Sequence, residues 1–181
     1  IVYQAIQFDQ TSLELLDESV FHLCASVFFK NSDALVENGH DITLPWSALS
    51  ICRLMLSTPN FKEADLRDVL TKVFCILSPQ NPTESVIFLL EFVNAVIFYK
   101  EEIFLEKCAQ LYPLFTDLLR LANREIVSLS LKCVIAILRV EPRLYEPIEI
   151  LQSHFVNRLE SVDDIPILIC QLYTQLIGCV E

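Results

Sequence analysis

The groups in this chain able to do covalent or acid–base chemistry are three histidines, seven cysteines and a few paired acids. His22, His40 and His154 are far apart along the chain. A thiol nucleophile needs an imidazole within hydrogen-bond reach. The one close pair, His22 and Cys24, is two residues apart in a helical stretch, so the two side chains leave on different faces. Cys24, Cys52, Cys75, Cys108, Cys133, Cys170 and Cys179 show no C-x-x-C spacing, and no short-spaced ligand set suggests zinc. The acid pairs Asp17-Glu18, Glu101-Glu102 and Asp163-Asp164 fall near helix ends or on polar faces; those near N-termini complement the helix dipole. Gly39 and Gly178 are the only glycines. A phosphate cradle or a nucleophile elbow could hardly be built from them. The reading is therefore no enzyme, no cofactor and no metal.

Residues suited to binding stand out more. Arg120, Arg124, Lys132, Arg139 and Arg143 are concentrated in one stretch, whereas the first 61 residues hold only Lys30 and Arg53. On one rim, Arg120, Arg124, Arg139 and Arg143 would receive an acidic peptide; otherwise they are a solvated surface. Asn94 interrupts an apolar helix, and read from the residues alone it is an amide bonded inside the fold. Trp46 is an interface anchor or a packing residue. Ser78-Pro79 and Thr58-Pro59 are loop dipeptides of the kind that proline-directed kinases modify.

Composition narrows the class. The chain has 181 residues, 53% of them hydrophobic and 20% charged. That length suffices for one core burying about 70% of the unfolded surface. Scarce glycine with Leu, Ile and Val at helical spacing predicts an all-α fold. The formal net charge of −11 opposes a phosphate backbone, so no direct nucleic-acid partner is expected. It also opposes docking on anionic lipid. Scattered, unpaired thiols and the lack of a usable N-x-S/T acceptor predict an intracellular protein, cytoplasmic or nuclear. The first residue is Ile1, without a basic leader, which suggests a piece of a longer chain.

The elements that must position these residues are arranged around 81–100, NPTESVIFLLEFVNAVIFYK. Asn81 is read as its N-cap, Pro82 as its first helical residue, and Glu84 as closing a capping box. From Val86 to Tyr99 only Glu91 and Asn94 are polar, so this is a helix covered on most sides. Its apolar run is too short for a bilayer span and carries a carboxylate. Before it, a capping box over Thr11–Glu14 opens a helix to about Lys30. Residues 31–44 form a long loop. Helices then begin near Pro45 and Asn60, the latter with a stripe of Leu66, Val69, Leu70, Val73, Phe74 and Leu77. After it, 101–110 is helical, Pro113 kinks or divides the segment, and Asn123 caps a helix with Leu131, Val134, Ile135 and Leu138 inward. Glu141-Pro142 ends that helix. Another runs through Ile148, Leu151, Phe155 and Leu159, and the last begins near Asp163.

Helix starts near Pro45, Pro82, Asn123 and Asp163 recur at about 40 residues, the period of stacked helical repeats. Tyr112–Val140 reads YPLFTDLLRLANREIVSLSLKCVIAILRV. It resembles the second and third helices of an armadillo repeat: Pro113, Leu114, Leu118 and Leu119, a polar turn at Asn123–Glu125, then a long closing helix. The periodicity elsewhere is similar to HEAT repeats. The glycine that usually separates the first two armadillo helices is missing, which leaves two or three helices per repeat open. The resemblance implies a single α-solenoid of stacked helical pairs across 1–181. It implies a non-catalytic scaffold that offers a helical surface to a partner protein's helix or extended peptide, and it implies for Asn94 an amide that holds such a peptide's backbone. The final helix, Ile165–Val180, has little polar relief. Leu172 and Leu176 are read as its contact residues, through which the chain continues, binds another chain or self-associates as an assembly segment.

Overall fold

The computed structural model describes residues 17–37, 42–58, 63–106, 108–144 and 165–178. The described residues form seven α-helices and no strand. The Thr11–Glu14 capping box, the Asn60 cap, His40, His154, Asp163-Asp164 and the helix read through Ile148 to Leu159 lie outside them. The chain divides into two compact units, Ile1–Ile103 and Phe104–Glu181.

In the first unit, α1 spans Glu18–Asn31. Asp17 caps it by accepting from the backbone of Ser19 at 3.0 Å and of Val20 at 3.2 Å. Glu18 in the first turn and Lys30 in the last suit the dipole. Phe21, Cys24, Ala25 and Phe28 make its buried stripe at three- and four-residue steps. The long loop read over 31–44 is shorter than expected. Ser32–Leu35 forms a 3-10 helix, and both its terminal residues are buried. One turn anchored by a single leucine has no periodicity for a sequence pattern to display.

Helix α2 spans Thr43–Met55 and buries Pro45, Ala48, Leu49, Ile51, Cys52 and Met55. Helix α3 spans Glu63–Ile76 with Leu66, Val69, Leu70, Val73 and Ile76 inward. The expected stripe is present, with Leu77 buried just beyond the helix and Phe74 half-buried. Both α2 and α3 pack on α1.

Helix α4, Thr83–Leu105, is the central apolar element. Val86, Leu89, Leu90, Val93 and Val96 are wholly buried, and Phe92 nearly so. Its start differs from the sequence reading. The Asn81 side-chain amide donates to the carbonyl of Ile76, the last residue of α3. The first turn of α4 is closed instead by Val86 N–H on the Pro82 carbonyl, at 3.1 Å. Asn81 thus closes the preceding helix, where a carbonyl without an intrahelical donor needs one. Lys100, at φ −146° and ψ 54°, breaks α4 into two helical pieces, close to the expected start at Glu101.

In the second unit, α5 spans Cys108–Leu118 with Pro113 inside it. Phe104 and Phe115 meet with ring centroids 6.0 Å apart. Asn123 Oδ1 accepts from the N–H groups of Glu125 at 2.9 Å and Ile126 at 3.1 Å. Helix α6, Arg124–Val140, follows from that cap and ends before Glu141, as read from the sequence. It buries Ile126, Val127, Leu131, Cys133, Val134, Ile137 and Leu138. Ile135, expected inward, is half-buried. Helix α7, Ile165–Gly178, turns Ile165, Leu168, Ile169 and Leu172 inward. Helices α5 and α7 both pack on α6. Among the described residues no helix is long and apolar enough to cross a membrane.

Candidate functional site

One histidine, His22, meets a serine and three acids in one place. An open cleft of about 540 Å³ is lined by Asp17, Glu18, Ser19, His22 and Asp65, from the start of α1 and the start of α3. His22 Nδ1 stands 3.5 Å from Asp65 Oδ2. Ser19 and His22 are one turn apart, so a serine, an imidazole and a carboxylate share the cleft. A nucleophile would need its hydroxyl on the imidazole. Ser19 Oγ instead donates to Asp17 Oδ1. That bond, then the Val20 N–H, holds the Asp17 carboxyl below its ordinary range. The residues are thus a helix cap beside an exposed histidine–aspartate contact.

Cys24, Cys52, Cys75, Cys133 and Cys170 are not joined in disulfides. Cys24, Cys52 and Cys133 are buried, whereas Cys75 and Cys170 are exposed. Burial pushes the Cys24 thiol up. Burial and then the neighbouring Cys24 push Cys52 well above the ordinary thiol range. Thiols held protonated in apolar surroundings are poor nucleophiles. No three His, Cys, Asp or Glu side chains among the described residues are grouped as a metal would require.

Trp46 stacks on Phe88 of α4, centroids 4.8 Å apart and planes 16° from parallel. It therefore packs α2 onto the central helix. Its indole N–H is buried without a hydrogen-bond partner. Beside it, Arg53 Nη1 meets Glu91 Oε2 at 2.6 Å, which gives the one carboxylate of the apolar run a partner. Asn94 Nδ2 donates to the Leu90 carbonyl one turn back, at 2.9 Å. That bond lies within its own helix, the pattern expected of an amide on a half-buried face.

The four arginines read as a binding rim, Arg120, Arg124, Arg139 and Arg143, lie in the second unit. Arg120 is in the turn before α6 and meets Asp117 at 3.0 Å. Arg124 opens α6, Arg139 is in its last turn, and Arg143 is in the 3-10 helix Pro142–Leu144. All four are exposed. Arg120 and Arg124 are therefore at one end of α6, and Arg139 and Arg143 at the other.

Leu172, read from the sequence as a contact residue, is fully buried. The Leu176 side chain lies outside the described residues. Among the described side chains of α7, those facing outward are Ile167, Cys170, Gln171, Thr174 and Ile177. Ile167 and Ile177 were legible in principle, because they are in phase with Gln171 and Thr174. Phe98, 79% exposed, meets Tyr99 edge-on at 4.7 Å at the end of the first piece of α4. It carried no sequence signal, since it continues an apolar run.

No known protein family, characterised protein or solved structure matches this chain.

Proposed function

We propose that this chain is a non-catalytic interaction scaffold inside the cell. In this reading its helices form a HEAT- or armadillo-like array that presents a surface to a partner helix or an extended peptide. The observation that carries it is the set of large apolar side chains left in solvent on helix faces: Phe98 at 79%, Ile177 at 71% and Ile167 at 61% exposure. Isolated exposed apolar residues are ordinary. An aromatic pair at a helix end, and two isoleucines on one helix face, are the anchors that interfaces use. Helix starts at Thr43, Thr83, Arg124 and Ile165, recurring at about 40 residues, agree with a repeat origin.

Selection of displayed random peptides on the purified chain tests the proposal. Peptides should enrich, and Phe98→Ala or the double change Ile167→Ser/Ile177→Ser should weaken them about tenfold, the effect of losing one or two anchors. The reading fails if no peptide enriches while a small molecule from a metabolite panel raises the melting temperature. A second reading, an assembly segment that pairs with itself through α7, is favoured by the same two isoleucines. Sedimentation should then show a dimer that Ile167→Ser/Ile177→Ser dissociates; a wild-type monomer at high concentration rejects it.

A further inference from the structure

Helix α4 leaves one stripe uncovered. Up to the break at Lys100 it is regular, and Glu84, Phe88, Glu91, Ala95 and Phe98 follow one another at steps of four, three, four and three residues. At 100° per residue they fall within an arc of about 80°, and the stripe runs about 21 Å at 1.5 Å per residue. None of the five is buried: Glu84 and Phe98 are exposed, and Phe88, Glu91 and Ala95 are half-buried. Helix α2 borders the stripe on one side, where Trp46 stacks on Phe88 and Arg53 pairs with Glu91. Glu84 meets no cation among the described residues. The stripe thus reads carboxylate, aromatic, ion pair, small residue, aromatic. Charge in this unit is lopsided: residues 1–103 hold 14 acids against 6 lysines and arginines.

We infer that this stripe docks a cationic amphipathic helix of a partner protein, laid along α4. The inference rests on the scaffold reading and adds the chemistry of the occupant. Steps of four and three residues are the spacing at which two helices interlock along one seam. An extended strand, whose side chains on one face recur at about 7 Å, loses that register within the length of the stripe. Ala95, the small residue between two aromatic ones, offers the hole for an apolar knob of the partner. Phe98, 79% exposed, is the anchor beside it. Glu84 takes a lysine or arginine at the other end. The surplus of acid decides among occupants. A second copy of this chain brings the same surplus and is opposed by like charge. Duplex DNA and an anionic bilayer are opposed on the same ground.

The test is fluorescence anisotropy of a labelled peptide of about 18 residues, long enough as a helix to span the stripe, titrated with the whole chain. The peptide carries leucine at alternating four- and three-residue steps and lysine on its other faces. A version with glutamate in place of lysine, and a scrambled version of the cationic one, are run beside it. The cationic amphipathic peptide should bind best of the three. Phe98→Ala should weaken it about tenfold, the effect of losing one anchor. Ala95→Arg, which fills the seam with bulk and like charge, should abolish it. Glu84→Lys should weaken it about threefold. Asp68→Lys changes the net charge equally but is exposed on α3, and should leave binding unchanged. Circular dichroism checks the fold of each variant; should Ala95→Arg not fold, Phe98→Ala and Glu84→Lys carry the test. The inference is overturned if the scrambled peptide binds as tightly as the amphipathic one, or if the variants of the stripe bind like wild type. A wild-type dimer that Ala95→Arg dissociates in sedimentation overturns it too, because a second copy then fills the seam. Preference for the acidic peptide, lost in Phe98→Ala, overturns it and leaves the scaffold reading standing. Binding of no peptide overturns it as well, and the selection of displayed peptides then decides the scaffold reading separately.

Discussion

Two asparagines in this chain look alike in sequence and do opposite things. Asn123 precedes Arg124-Glu125-Ile126 and caps α6 through two backbone N–H groups. Asn81 precedes Pro82 and was expected to act likewise, yet its amide closes the end of α3. An N-cap uses the side-chain oxygen and a C-terminal closure uses the nitrogen; only the fold decides which neighbour is in reach. Asn123→Ala should cost about 1 kcal/mol, read as a lower urea midpoint with unchanged slope. Asp17, a cap that the sequence reading placed only as part of a paired acid, adds a pH signature. Its pKa is lowered in the fold by the Ser19 hydroxyl and the Val20 N–H. The stabilisation is therefore full above the unfolded carboxyl value and is lost as pH falls through the lower folded value. Asp17→Asn keeps a cap oxygen but cannot titrate. The advantage of wild type over this variant, measured by melting across pH, should shrink toward zero in acid. Thiols sort by burial in the same way. Iodoacetamide followed by peptide mass mapping should modify Cys75 and Cys170 well before Cys24, Cys52 and Cys133.

At the scale of the element, legibility followed periodicity. The α3 stripe from Leu66 to Val73 was readable because polar residues separate its steps, which fixes the phase of the buried face. In α7 the apolar residues run almost unbroken, and only Gln171, Thr174 and Gln175 mark the outward face, so its phase is weakly signalled. Packing on α6 turns Leu172 inward and Ile167 outward. The short 3-10 helix at Ser32–Leu35 was invisible for the reason that it is one turn long. The centre helix α4 was legible as buried, but Phe98 and Tyr99, which end its first piece, were not legible as exposed. The middle of that piece and its end should respond differently to truncation. Leu90 is wholly buried, so Leu90→Ala should cost about 2–5 kcal/mol. Phe98 is 79% exposed, so Phe98→Ser should change stability by less than about 0.5 kcal/mol. Urea midpoints of the two variants measure the contrast. If the Phe98 change proved as costly as the Leu90 change, the exposure of that aromatic in the folded chain would be wrong.

For the whole molecule, the division into units at Ile103 and Phe104 had no sequence signal. Domain boundaries usually advertise themselves with Pro, Gly or polar linkers. Here the boundary falls inside an apolar helical stretch, three residues after the break at Lys100. Each unit has its own buried set: Phe21, Phe28, Leu49, Met55 and Leu90 in the first, Phe104, Phe115, Leu131 and Val134 in the second. Two cores allow two melting events, because cooperative opening follows compact units more than chain continuity. The chain supplies its own reporter. Its one tryptophan, Trp46, stacks on Phe88 within the first unit, so its fluorescence follows that unit, while circular dichroism follows the helices of both. Leu131 is fully buried in α6, and Leu131→Ala should cost the second unit about 2–5 kcal/mol. The expected result is an earlier loss of part of the helical signal, with the fluorescence midpoint left in place. A fluorescence midpoint that moves together with the circular-dichroism midpoint would make the two cores one cooperative body.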